Sequence, residues 1–308
     1  MSAYSILRKA DEVSNFTIAK IPKTNRQFYR VLHRIADTAT PKVRRQFLEA
    51  IDSIRGTTRV KELREALEVG SSIEVFTALG VDKLGLEMSA LVTTLREAYN
   101  KAAIEAGKIL PKEIQAGFRF DMFNPRAVDY ARLRAAELVS QVSDSTRRGI
   151  QRVIAEGVES GLTVQQQASR IKEMLGLTPR QVSALDNFKQ MLTTEGRKPA
   201  QIKRMVNRQK NRMLRSRATA IARTETINAV NAGQEEIWAQ AMDQGLIDFN
   251  ARKKWVVTPD DLLCPICKPI PKNNPGGVPI GTPFQTSVGP RMRPAAHPNC
   301  RCSMSLET

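Results

Sequence analysis

The chain has 308 residues, 41% apolar and 5% aromatic, with a net charge of +17. That length buries a sizeable core, that apolar share excludes general disorder, and so few aromatics favour helix over a compact β-rich enzyme. No apolar run approaches the roughly 20 residues that span a bilayer, and the amino terminus, MSAYSILRKADEVSNF, is charged at Arg8, Lys9, Asp11 and Glu12 where a secretory signal needs an apolar stretch. A cytosolic, reducing origin is the default, which counts against structural disulfides.

Residues 26–55 place Phe28, Val31, Leu32 and Ile35, then Val43, Phe47, Ile51 and Ile54, at three- and four-residue spacing. This predicts two amphipathic helices broken near Thr40-Pro41. Helix continues over 59–110 with a Gly-Ser-Ser pause at 70–72. The stretch GFRFDMFNP then breaks the periodicity and marks a boundary near 115–125. Three helical pieces follow over 125–175, with Ser143 and Thr163 as N-caps and Gly161 and Gly176 as stops. The segment 178–196 is another helix, with Pro179 in its first turn. A basic helix begins at about 199, and 223–245 is its continuation or its partner. After Gly245, KKWVVTPDD alternates as a strand does, and KPIPKNNPGGVPIGTPF is too rich in Pro and Gly for helix. The predicted fold is mainly α: an elongated helical body with a small C-terminal α+β, Pro/Gly-rich, Cys/His metal-clipped module. Its predicted divisions are 1–119, 120–250 and 251–308.

All four cysteines and one of the two histidines lie in CPIC (264–267) and HPNCRC (297–302). A tight C-x₂-C turn aims residues i and i+3 at one point, and proline presets its φ. Two such turns supply four soft or borderline donors, a set that suits structural zinc. The expected ligands are Cys264, Cys267, His297 and Cys300, with Cys302 a fifth candidate. A disulfide or plain buried thiols are the alternatives. His33, the other histidine, reads as a surface or half-buried helix residue.

The excess charge implies an anionic partner or a solubility bias. Residues 201–223 carry eight Lys/Arg and no Asp or Glu. On a helix Arg204, Arg208, Arg212 and Arg215 share one face and Lys203, Lys210 and Arg217 another, with Ile202, Met205, Val206 and Met213 between them. Residues four apart rise about 6 Å, comparable to a phosphate step, so the row suits sequence-independent, salt-sensitive nucleic-acid binding. The alternatives are a solvated face or ion pairs with a neighbouring subunit. Downstream, Thr224, Asn228 and Asn231 form a polar ladder that can tie this helix to a loop backbone. A catalytic pairing of Arg223 with Glu225 is the rival reading, although the sequence holds no Gly-rich phosphate loop and no Ser/His/Asp set.

ARTET (222–226), NAGQEEIW (231–238), KKWVVTPDDLLCPIC (253–267), TPF (282–284) and HPNCRC (297–302) follow one another in an order that resembles the Mu protein F-like, or phage head morphogenesis, family of minor capsid proteins. The resemblance is dense over about 215–303 and looser over 125–214; residues 1–120 carry no aligned motif. The link KPIPKNNPGG is longer than the family's, and RPAAHPNCRC stands where the family has PP-x-HP before its last cysteines. The resemblance implies a non-enzymatic minor head protein of a tailed bacteriophage, present in a few copies in the capsid interior near the portal vertex and in the host cytoplasm during assembly. Implied partners are the portal protein or inner capsid surface, sister copies and double-stranded DNA contacted without sequence preference during packaging or ejection, with no membrane during assembly. Arg223, Thr224 and Glu225 match the family's Arg-Thr-Glu signature and are read as structural, and the 1–119 region is assigned to docking. The alternative function is a metal-dependent nuclease or transferase using Arg223, Glu225 and the Cys/His cluster. A free-standing DNA-binding regulator is disfavoured, because no dimeric recognition-helix pattern is present.

Overall fold

The computed structural model describes residues 23–110, 112–257 and 263–307. The reading of the amino-terminal 16 residues and the last residues of the KKWVVTPDD strand lie outside them. The protein is mainly helical with a small antiparallel sheet near its carboxyl end. In chain order come α1 (Lys23–Thr57), α2 (Val60–Val69), α3 (Ser72–Ala78), a 3₁₀ turn (Val81–Lys83), α4 (Leu84–Glu87), α5 (Ser89–Gly107) and α6 (Lys112–Gly117). Then follow α7 (Pro125–Glu159), α8 (Val164–Met174), α9 (Pro179–Thr194), α10 (Pro199–Asp243), β1 (Arg252–Val256), α11 (Ile270–Asn273), β2 (Val278–Pro279) and β3 (Ser303–Glu307).

Capping chemistry marks several of the helix boundaries. Thr163 and Thr178 each accept from the backbone N–H three residues on, while Gln166 and Gln181 reach back to the cap, two complete capping boxes. Gly161 and Gly176 both take positive φ after a helix end. Three expectations are corrected. Helix α1 runs unbroken through Pro41, because one apolar face, from Leu32 through Val43 and Phe47 to Ile54, is buried along its whole length and outweighs the single missing N–H. Ser143 is interior to α7 rather than an N-cap, so the first two helical pieces of 125–175 are one helix. The Pro/Gly-rich segment contains the four-residue helix α11, with Pro271 in its first turn, where a missing N–H costs nothing. The basic helix and the segment 223–245 prove to be one helix, α10.

The described chain forms two compact units: one comprises the residues up to Val43, Thr93–Tyr130 and Ala220 onward, the other Arg44–Val92 with Ala131–Thr219. These units interleave along the sequence, whereas the predicted divisions are consecutive. The second unit is all helix, with Phe47, Leu63, Leu79, Leu91, Val153, Ile171 and Leu185 buried.

In the first unit, one continuous apolar cluster joins Leu32 and Ile35 of α1, Ala98, Ala102 and Ala106 of α5, and Val230, Ile237 and Trp238 of α10. It extends to Trp255 and Met304 of the sheet and to Cys267, Cys300 and Cys302. The sheet is antiparallel in the order β2-β1-β3, with Trp255 opposite Met304 and Lys253 opposite both Leu306 and Val278. Helices α5 and α10 approach so closely that a Cβ at Gly233 would fall 2.1 Å from the Tyr99 carbonyl oxygen. No helix among the described residues is long and apolar enough to cross a membrane.

Candidate functional site

The carboxyl-terminal half of α10 carries the loop that holds the cysteines. Thr224 Oγ1 donates to the Ala220 carbonyl at 2.7 Å and accepts from the Asn299 N–H at 3.0 Å. Asn231 Nδ2 donates to the carbonyls of Ile227 (2.8 Å) and Cys302 (3.3 Å), and Gln234 Nε2 to that of Met304 (2.9 Å). These bonds give the backbone from Asn299 into the start of β3 partners on α10. Of the anticipated ladder, Thr224 and Asn231 make such bonds, Asn228 makes none that is described, and Gln234 is an unanticipated rung.

One turn along, Glu235 holds a buried charge cluster that the sequence did not disclose. Its carboxylate accepts from Lys253 of β1 and from Arg293 Nε, the latter at 2.6 Å, and Lys253 Nζ also donates to the Met292 carbonyl at 2.7 Å. The Lys253 side chain is fully buried, a burial a lone lysine would not tolerate. Burial pushes its pKa down, and Glu235 opposes that shift. The only sequence-level clue was a charged residue at an inward position of a strand.

The five predicted ligands come together. His297 Nε2 lies 2.9 Å from Cys264 Sγ and 3.1 Å from Cys267 Sγ, and Cys267 Sγ lies 3.8 Å from Cys300 Sγ. Cys264, Cys267 and His297 form one triad of ligand atoms and Cys267, Cys300 and Cys302 a second, with Cys267 common to both. The donor set fits a borderline-soft ion. Two thiolates at about 2.3 Å from zinc in a tetrahedron stand about 3.8 Å apart, the separation of Cys267 from Cys300. His297 Nδ1 meets the Pro298 carbonyl at 2.8 Å; donating there, it leaves Nε2 unprotonated and aimed at the sulfurs. None of the four cysteines is joined in a disulfide. The thiols share their charge unequally: the hydrogen bond from Cys267, then that from Cys302, lowers the pKa of Cys300, and the bond to Cys300 raises that of Cys267.

His33 is half-buried against the Tyr29 ring, 4.2 Å between centroids. Burial lowers its pKa, Asp37 opposes that, and the Arg301 backbone hydrogen-bonds it, so it backs the cysteine loop without joining either triad.

The predicted basic face divides. Lys203, Arg204, Arg208, Arg212 and Arg215 are exposed. Lys210 is half-buried, and burial lowers its pKa. Arg217 is corrected from a nucleic-acid contact to a packing residue: it donates to the Gly176 carbonyl and to Ser145 Oγ, lies over the Phe47 ring, and burial pulls its pKa down to about 10. Ile202, Met205, Val206 and Met213 are only half-buried; Leu214 and Ala218, absent from the predicted stripe, are the buried positions. Arg223 is exposed and Glu225 is 5% exposed, and helix positions two apart do not face one another.

Comparison with curated proteins and with solved structures returned no match. The family described as Phage Mu protein F like protein matches residues 148–305. That range runs from within α7 through all of α10, both cysteine motifs and the first three residues of β3, more than half of the chain. The helix, the two facing cysteine turns and the start of the strand that follows them thus fall inside a single family match, and the chain belongs to the phage Mu protein F-like family.

Proposed function

We propose that this chain is a structural minor head protein of a tailed bacteriophage, acting in head morphogenesis from the capsid interior near the portal and contacting the genome without sequence preference. The observation that carries the DNA contact is the row Arg204, Arg208, Arg212 and Arg215, all exposed, on a segment with no carboxylate between Glu195 and Glu225. Family membership supports the head assignment. Docking to the portal or inner shell is assigned to the 1–119 region. Val69, Ile73 and Leu86 support this, since they expose 67%, 75% and 75% of their surface there.

One zinc ion is proposed at the cysteine cluster, held by Cys264, Cys267, His297 and Cys300 with Cys302 beside them. It would supply cross-linking between the CPIC turn and the HPNC turn, with no open position for water. A structural role is favoured over the nuclease or transferase alternative by the burial of Glu225 and by Thr224 being committed to the Asn299 backbone.

The test is the variant Arg204→Gln/Arg208→Gln/Arg212→Gln, which keeps helix propensity nearly unchanged. Binding to non-specific duplex DNA is measured across a salt series, alongside incorporation into proheads lacking DNA. The expected result is a log–log salt slope flatter by roughly two to three units with normal incorporation. Unchanged DNA affinity with lost incorporation would show the row to be a protein-docking face.

A further inference from the structure

The all-helical unit contains an open groove of about 660 Å³ between α8, α9 and the start of α10. Its lining recurs every third or fourth residue over 162–174, 185–193 and 199–207, so it follows three helices lengthwise rather than dimpling one spot. Nine residues of α10, eight steps of 1.5 Å, make it about 12 Å long. That is the span of the i, i+3/i+4, i+7 anchors by which an amphipathic helix seats in a groove.

Apolar surface predominates in the lining. Met174 and Leu185 are buried, and Leu162, Ile202 and Val206 are half-buried. The polar lining is biased to positive charge. Lys189 and Lys203 are exposed and make no described ion pair. Arg170, 19% exposed, is held between two carboxylates, one of them on the lining: its Nη2 donates to Glu156 at 2.9 Å and to Asp186 at 2.5 Å. No described hydrogen bond uses its Nε or Nη1, so a guanidinium already held in place retains free donors at the groove. Of the two carboxylates on the lining, Asp186 is committed to Arg170, and Glu173 is exposed, leaving three cations against two anions along the groove.

We infer that this groove is a docking site for an amphipathic helix of another protein, one with an apolar stripe flanked by Asp or Glu. The apolar floor takes the stripe, and Arg170, Lys189 and Lys203 take the flanking carboxylates. The site is separate in chemistry from the arginine row of α10, which has charge without an apolar floor.

The probes are two labelled 18-residue helical peptides with Leu at i, i+4 and i+7, one flanked by Glu and the other by Lys, titrated against the full chain by fluorescence anisotropy. The Glu peptide is expected to bind saturably and at least tenfold tighter than the Lys peptide. Val206→Trp, which fills the groove, should weaken it at least tenfold, and Lys189→Glu should narrow the preference. Replacing Arg204, Arg208, Arg212 and Arg215 by Gln should leave it within twofold. Equal binding of the two peptides, or indifference to Val206→Trp, would overturn the inference. Loss of binding in the arginine variant alone would reassign the peptide to the basic row. Self-association of the wild-type chain abolished by Val206→Trp would make a second copy the occupant and overturn the assignment to a foreign helix. Should circular dichroism show Val206→Trp unfolded, the surface change Lys189→Glu decides the matter.

Discussion

Glu235 stands between two cations, Lys253 and Arg293, and is 5% exposed. Replacing it by Gln removes the only carboxylate that pairs with them among the described residues. Breaking a buried ion pair from one side costs about 3–5 kcal/mol, so Glu235→Gln should lower the unfolding midpoint sharply, and adding Lys253→Met should recover part of the loss. Denaturant unfolding of the three proteins checks this; a single variant as stable as wild type would contradict it. The cysteine cluster makes a second test at this scale. Cys264→Ser should release the metal and loosen 263–302 while leaving the helical signal intact, and elemental analysis of reduced, freshly purified protein should find one zinc in wild type. A metal-free wild-type protein would end the zinc assignment. His33 makes a third. Burial holds its pKa below 6.5, so as pH falls past 6.5 the unfolded chain gains a proton that the folded chain resists. Its contribution to stability is therefore complete above about pH 6.5 and is lost as pH falls towards the lower folded value. Titration of its imidazole by NMR should give a midpoint under 6.5; a midpoint at or above that value would contradict the burial argument.

Helix α10 performs different work along its length. Its early turns display arginines, and its later turns are buried on nearly every side, which Ala229, Ala232 and Gly233 permit by keeping the helix narrow. Gly233 is the narrowest point, where a methyl group meets the Tyr99 carbonyl at 2.1 Å. The backbone of α5 cannot yield as a flexible side chain can, so Gly233→Ala should force the helices apart. The expected cost is at least about 2 kcal/mol, although alanine is the better helix former. Thermal unfolding measures it; a neutral or raised midpoint would show that the approach relaxes freely. The same variant should loosen the loop bonds made by Asn231 and Gln234, which flank this position.

At the scale of the whole molecule, the sheet and cysteine loop do not own a separate core. Their buried residues continue into Leu32 and Ile35 of α1 and Ala98 and Ala102 of α5. A fragment of residues 245–308 lacks those partners as well as α10. It is expected to bind zinc without acquiring the dispersed amide spectrum of a folded domain, because metal fixes the turns but cannot replace the apolar contacts. A well-dispersed spectrum of the zinc-loaded fragment would show that the module folds by itself.

The helical class, the caps at Thr163 and Thr178, the strand at β1 and the five clustered donors were legible in the sequence, since each rests on local chemistry: periodicity, a hydroxyl before a helix, a C-x₂-C turn. Positions that depend on what packs from elsewhere were not. Pro41 and Ser143 carry strong local signals for a break and a cap, and long buried faces override both. Arg217 is chemically the same as Arg212, yet one is committed to Gly176 and Ser145 and the other is exposed; only the fold decides which. Lys253 reads as one charge in a basic chain until a carboxylate eighteen residues upstream is brought against it. Composition and spacing determine which groups are present and which turns they favour. Burial, and with it the pairing of charges and the assembly of both cysteine turns about Cys267, is a property of distant segments meeting, because the cost of desolvation is set by everything that surrounds a group at once.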